Sequence, residues 1–317
     1  MGLSRPNVDG VTIRLGYQIP NFSYGTPVSE LFPTVVAQAK EAEAAGFDTV
    51  LLMDHFYQLP GLGTPDQPML EAYTALGALA TATNRLQLSA LVTGNTYRNP
   101  TLLVKAVTTL DVVSGGRAIL GIGAGWFELE HHQLGFEFGT FTDRFERLEE
   151  ALQIIAPMLR GERPTVSGKW YHTESAMNEP RYRDHIPIMI GGSGEKKTFR
   201  LAAQYADHLN IIAGMPDLPR KLEAVKQRCA EVNRDPATLE TSALLTVVLD
   251  ENGETSDMEE TRGDRAVTGS PQAVAEEVQK RVLGVGIDGV IINMPTQGHT
   301  PGLITKVGEA LKPLVAR

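Results

Sequence analysis

The sequence has a single cysteine, Cys229, among 317 residues. A lone thiol excludes an internal disulfide and fits a reducing compartment. Its setting, KLEAVKQRCAEVN, has helical spacing, so it reads as a packed side chain rather than a nucleophile. Long hydrophobic runs are lacking too. No stretch approaches the length that spans a bilayer, and no apolar signal-type segment stands near the first residues. Cytoplasmic localisation without a membrane partner is therefore expected. Positive charge is in deficit, with 29 Lys and Arg against 38 Asp and Glu and a net charge of −9. That balance argues against a nucleic-acid partner, while leaving room for a local anion pocket made of backbone amides. Several motif spacings are missing as well. The chain has no Gly-x4-Gly-Lys-Ser/Thr loop, HExxH helix or Gly-x-Ser-x-Gly elbow, which speaks against a P-loop enzyme, a zincin and an α/β-hydrolase. The pair His131-His132 near Glu128 points to different faces of a helix, so no metal site is expected there.

What is present is a strict alternation of apolar runs and helical patterns. Strands are expected at 13–19, 48–53, 86–92, 118–123, 186–192, 208–214, 239–250 and 288–294. DTVLLM (48–53) is almost wholly apolar, as befits a strand buried on both faces. Between strands, 100–116 carries Leu103, Ala106, Val107 and Leu110 at helical spacing, with Pro100 at its start and Gly115 at its end. The helix from 33 stops at Gly46. Eight such units favour an α/β fold closed into a (β/α)8 TIM barrel, a single domain over 1–317. Insertions are expected after strands four and seven. The first holds residues 128–135, a helix at 144–161 and a small hairpin at 165–176. The second is the acidic run 250–264, read as a solvated, lid-like loop.

In a barrel, the groups that do chemistry gather where strands end at their carboxyl termini. The candidates are Gln18, Asp54-His55, Thr93-Gly94-Asn95, residues 121–126, residues 191–194 and Asn293-Met294. Asp54 and His55 are the first polar residues after the uncharged end of LLMDHF. A histidine there can shuttle a proton, and an adjacent carboxylate can orient its partner or raise its basicity. A capping Asp beside a structural His is the other reading of the same dipeptide. IMIGGSGEKKT sets the amides of a glycine turn at a helix start, either a phosphate site with Lys196 and Lys197 nearby or a plain βα turn. GIGAGW follows a strand as a dinucleotide-binding turn would. A Rossmann fingerprint, however, would put glycine where Trp126 stands and an acidic residue at the end of the next strand, roughly twenty residues on. A helical insertion follows instead. These glycines are then expected to let a flat ring approach the backbone, with Trp126 as an apolar wall.

Taken together, LGYQIPNF, LLMDHF, LVTGNTYRNPTLLVKAVTTLDVVSGGRAILGIGAGWFELE, RFERLEEALQI and PIMIGGSGEKKTFRLAAQYADHLN resemble the luciferase-like monooxygenase superfamily. The resemblance covers nearly the whole chain and is closest to the branch of coenzyme F420-dependent oxidoreductases. It implies a barrel holding a deazaflavin, or FMN, at the carboxyl ends of its strands. By it, His55 is the proton-transfer group, Asp54 helps it, and both line the cofactor. It also implies a non-prolyl cis peptide within 91–94, placed here at Leu91-Val92, bulging against the ring. Leu91, Val92, Thr93 and Gly94 thereby join Gln18, Gly123, Gly125 and Trp126 as cofactor-binding candidates. Gly191, Gly192, Ser193 and Gly194 match the family's phosphate-binding turn. Met53, Phe56, Tyr57 and Trp126 are candidate substrate walls. Some F420-dependent sugar-phosphate dehydrogenases carry a Glu acid at the position of Trp126, and a Trp cannot donate that proton. The expected activity is hydride transfer between F420 and a small organic substrate, by a homodimer served by a separate reductase. An FMN-dependent monooxygenase and a non-catalytic cofactor-binding protein are the alternatives.

Overall fold

The computed structural model describes residues 13–250 and 262–315. Its strands are β1 (Leu15–Ile19), β2 (Thr49–Leu52), β3 (Gln87–Ala90), β4 (Thr93–Gly94), β5 (Leu120–Gly123), β8 (Ile188–Gly192), β9 (His208–Ile211), β10 (Glu240–Leu249) and β12 (Gly289–Asn293). They form one parallel sheet in the order β3-β2-β1-β12-β10-β9-β8-β5-β4. A bridge between Leu88 and Ala118 joins the two ends of this path, and β3 and β4 are one strand interrupted at Leu91 and Val92. The result is the expected eight-stranded barrel.

Side-chain alternation divides the core into two parts. Leu51, Leu91, Ile119, Met189 and Ile291 form a plug inside the barrel. Their strand neighbours Val50, Leu52, Leu120, Ile190 and Ile292 face outward, beneath the helices. Those helices are α1 (Val28–Ala45), α2 (Ala72–Ala82), α3 (Pro100–Ser114), α4 (Glu128–Leu134), α5 (Phe141–Leu159), α6 (Thr198–Tyr205), α7 (Leu218–Glu231), α8 (Pro271–Arg281) and α9 (Leu303–Val315). Among the described residues, no helix is long and apolar enough to cross a membrane. Cys229 is buried on α7.

Local signals act as their chemistry requires. On α3, Asn99 accepts from the Thr101 amide, Pro100 fills the first turn and Gly115 ends the helix in left-handed geometry. Thr140 and Asp143 close a capping box on α5. The chain departs from the sequence expectation in two places. Helix α1 begins five residues before Pro33 and runs through it. Helices α4 and α5 and a hairpin of β6 (Val166–Ser167) and β7 (His172–Thr173) lie between β5 and β8, as expected. Beyond β10, residues 251–261 of the acidic run lie outside the described residues. An unanticipated short strand, β11 (Ala266–Gly269), then pairs parallel to the end of β10. Four residues with one large apolar side chain carry too little periodicity to announce a strand.

Candidate active site

Because the barrel strands are parallel, all their carboxyl ends reach one rim. That rim receives Asp54 and His55 from β2, the 91–94 segment from β3 and β4, 123–126 from β5 and the 192–194 turn from β8.

The organising group there is a carboxylate from the insertion, Glu130 on α4. Its side chain is fully buried, and its oxygens meet three donors and one imidazole nitrogen. Oε1 accepts the Phe56 amide and, at 2.8 Å, the Tyr57 amide. Oε2 accepts the Tyr97 hydroxyl at 2.5 Å and lies 2.9 Å from Nδ1 of His55. Burial pushes the Glu130 carboxyl up, but the His55 ring, the Tyr97 hydroxyl and the Tyr57 amide outweigh it and hold the pKa below its ordinary value. The same contacts, with burial leading, drive the Tyr97 hydroxyl well above its own. His55 packs edge-on against Trp126 and Phe127, both at 5.8 Å between ring centres. Trp126 is 59% exposed, a flat apolar surface presented at the rim beside the imidazole.

Asp54 does different work from the help expected of it. It takes a bidentate pair from Arg98 at 2.7 and 2.9 Å, plus the Gly94 amide at 3.0 Å. Arg98 also bonds Glu71 at 2.5 Å and lies over the Tyr73 ring. Tyr73 in turn bonds the Thr93 hydroxyl at 2.6 Å. Burial raises the Asp54 pKa against the pull of Arg98 and Gly94. Burial also opposes the Arg98 cation, yet Asp54 and Glu71 hold its pKa above normal. Asp54 thus fastens the 93–94 segment to the end of β2, and Glu130 is the carboxylate on the imidazole.

The peptide between Leu91 and Val92 is cis, at the expected place. Two rim glycines, Gly123 and Gly191, stand behind Val92, whereas Gly125 faces the Thr96 side chain. A Cβ on Gly123 would stand 2.9 Å from a Val92 methyl, and one on Gly191 would stand 2.7 Å from the other. The space these glycines leave is filled by Val92, which is partly exposed. Gln18 lies within the barrel. It is buried, donates to the Leu91 carbonyl at 3.3 Å and accepts from Asn293 at 2.8 Å, while Asn293 accepts from Thr246 at 2.9 Å. With its amide engaged inside the barrel, Gln18 orients the bulge. Thr93 and Met53 are likewise buried. Phe56 packs between the rings of Tyr97 and Phe136, over the Glu130 cluster.

Across the rim, Ser193 and Gly194 are exposed in a turn leading into α6. Lys221 donates to the Ser193 carbonyl at 2.8 Å and pairs with Glu195, anchoring the turn from below. His131 and His132 do separate: His131 is buried between Thr96 and the Phe127 carbonyl, and His132 is exposed beside Glu128. Two residues of the site were missed by sequence reasoning, Glu130 and Arg98. Phe127, Glu130 and His131 stand at i, i+3 and i+4, a spacing that marks the inner face of α4.

The luciferase-like monooxygenase family model matches residues 13–257. An F420-dependent glucose-6-phosphate dehydrogenase from Microbacterium testaceum is 34% identical over 200 residues, 62% of this chain. The match spans 56% of that relative, little more than half its length. A protein of the same name from Nakamurella multipartita is 32% identical over 269 residues, 83% of this chain and 75% of the relative. Among solved structures, an F420-dependent secondary alcohol dehydrogenase in complex with an F420-acetone adduct superposes with a TM-score of 0.81. It is 19% identical and covers 97% of this chain and 100% of its own, a likeness of fold.

Proposed function

The chain belongs to the luciferase-like monooxygenase family, and from that premise we propose that it is an oxidoreductase exchanging a hydride between coenzyme F420 and a small organic substrate. The observation that carries the reading is the rim itself. An imidazole clamped by a buried carboxylate stands on the same barrel edge as an apolar shelf and an exposed amide turn. These groups fit a deazaflavin. Val92, partly exposed over the apolar plug, suits one face of a flat ring. The turn at Gly191, Gly192, Ser193 and Gly194, opening α6 with Lys196 and Lys197 close by, suits a phosphate.

The bound deazaflavin supplies the hydride exchange; the chain supplies position and a proton site. His55 takes the proton from an alcohol oxygen as hydride leaves carbon, or returns it to a carbonyl in the reverse direction. Asp54 and Gly94 hold the shelf segment in place, and Gln18 holds it from within. Trp126, with Tyr57 nearby, forms an uncharged wall for the substrate. Although two relatives are named glucose-6-phosphate dehydrogenases, the Trp126 indole is too weak an acid to stand in for a Glu acid, which supports a substrate outside that class. A homodimer and a separate reductase for the cofactor complete the reading. Exposed Leu102 and Met177, which line one groove beside α3, support the former.

FMN fits the same shelf and turn, and the family match favours a reduced-FMN monooxygenase as the second reading. Fluorescence titration of the purified chain with F420 and, separately, with FMN decides between them. Tight F420 binding with weak FMN binding is expected; the reverse rejects the first reading.

A further inference from the structure

We propose that Glu130 is a positioning residue that fixes His55 as the Nδ1–H tautomer, leaving the Nε2 lone pair as the proton acceptor at the rim. This rests on the reading of His55 as the proton-transfer group. It concerns a residue on a different element, 75 positions away in sequence.

The donors around Glu130 determine the role left to the imidazole. An ionised carboxylate accepts at about four lone-pair positions and donates at none. Two of those at Glu130 are taken by the amides of Phe56 and Tyr57, which can only donate. The third is taken by the Tyr97 hydroxyl. The fourth neighbour, Nδ1 of His55, must then carry its proton, since two lone pairs would otherwise face each other. A protonated Glu130 could reverse that bond, but the donors around it favour the anion. Nε2 is bonded to no other group among the described residues, so it keeps its lone pair. The surrounding charges are already committed: Asp54 and Glu71 to Arg98, and His131 to Thr96 and the Phe127 carbonyl. Steric support comes from Trp126 and Phe127, which stand edge-on to the ring. The imidazole thus has a fixed tautomer and a fixed plane before any ligand arrives.

The test uses the cofactor-free full chain labelled with ¹⁵N at histidine. Long-range ¹H–¹⁵N correlation is recorded about two pH units above the ordinary imidazole pKa of about 6.5. His55 is assigned by the signals lost in His55→Gln. Wild type is expected to show Nδ1–H. In Glu130→Gln the carbonyl oxygen stays with the two amides and the NH₂ turns to the ring. Nδ1 must then accept, and the Nε2–H tautomer is expected. Tyr97→Phe removes a donor without offering a new one, so Nδ1–H should persist. An Nε2–H signal in wild type overturns the proposal, as does an unchanged tautomer in Glu130→Gln. If Glu130→Gln does not fold, wild type and Tyr97→Phe still decide.

In turnover, Glu130→Gln should lower kcat roughly 100-fold with KM little changed. A structural role alone would not flip the tautomer. If Nδ1–H is found but His55→Ala keeps full turnover, the functional reading fails and the Glu130 assignment stands. If His55→Ala is inactive but the tautomer is Nε2–H, the reverse holds.

Discussion

Removing Arg98 tests whether Asp54 is a fastening and not a participant. In Arg98→Met the buried Asp54 carboxylate, 1% exposed, keeps only the Gly94 amide of its three hydrogen bonds. Breaking a buried pair in this way costs about 3–5 kcal/mol, because one charge is left without its partner. The second partner, Glu71, is 38% exposed and adds no more than about 1 kcal/mol. The sign of the pH dependence is fixed by burial. Without the guanidinium, the Asp54 pKa in the folded state lies further above its unfolded value of about 3.9. The folded chain then binds that proton more tightly than the unfolded chain does. The variant's deficit is therefore full while Asp54 is ionised and shrinks as pH falls toward about 4. Urea unfolding of wild type and variant at pH 8 and pH 5 reads this out directly. Asp54→Asn in the Arg98→Met background should recover most of the loss at pH 8, since a neutral amide needs no countercharge. A variant within about 0.5 kcal/mol of wild type at pH 8, a value typical of surface substitutions, would refute the reasoning. So would a deficit equal at both pH values.

Two further outcomes follow from packing and burial. Gly191→Ala should push Val92 off its seat and cost about 1–3 kcal/mol, with weaker F420 binding in the same titration; Val92→Ala in that background should recover the stability, because the clash is with a Val92 methyl at 2.7 Å. Asp48, half-buried beside β1 and bonded to the Arg14 and Leu15 amides, has its pKa raised by desolvation to about 6. Since that lies above the unfolded value, wild-type stability should gain roughly 2 kcal/mol as pH falls from about 7 to 4 from this group alone. Thermal or urea unfolding of Asp48→Asn should show that share of the pH dependence removed.

Much of the barrel is legible in the sequence because it depends on local pattern. Runs such as DTVLLM and AILGIG are apolar on both faces, and Pro100, Gly115 and Gly46 mark helix ends by their own backbone preferences. Strand ends then point to His55 and to the 191–194 turn without any knowledge of contacts. What stayed hidden is non-local. Glu130 meets His55 across 75 positions and Arg98 meets Asp54 across 44, and neither pairing leaves a spacing signature. Asp54 was assigned to His55 because the two are adjacent in the chain. The structure gives each its own hydrogen-bond partner, Arg98 for Asp54 and Glu130 for His55. Gln18 and Gly123 were likewise assigned to the cofactor by position, whereas their partners are the Leu91 carbonyl and a Val92 methyl. A glycine shows that something comes close, and only the fold shows what.

The central claim is hydride transfer assisted by His55, and anaerobic stopped-flow absorbance measures it most directly. Wild type and His55→Ala, each loaded with F420, are mixed with a panel of small secondary alcohols. Wild type is predicted to bleach the oxidised deazaflavin with at least one of them. His55→Ala is predicted to bind F420 as well as wild type while reacting at least roughly 100-fold more slowly. Bleaching at equal rates in both proteins would contradict the role of His55. No bleaching across the panel, with oxygen consumed on addition of reduced FMN, would contradict the proposed activity.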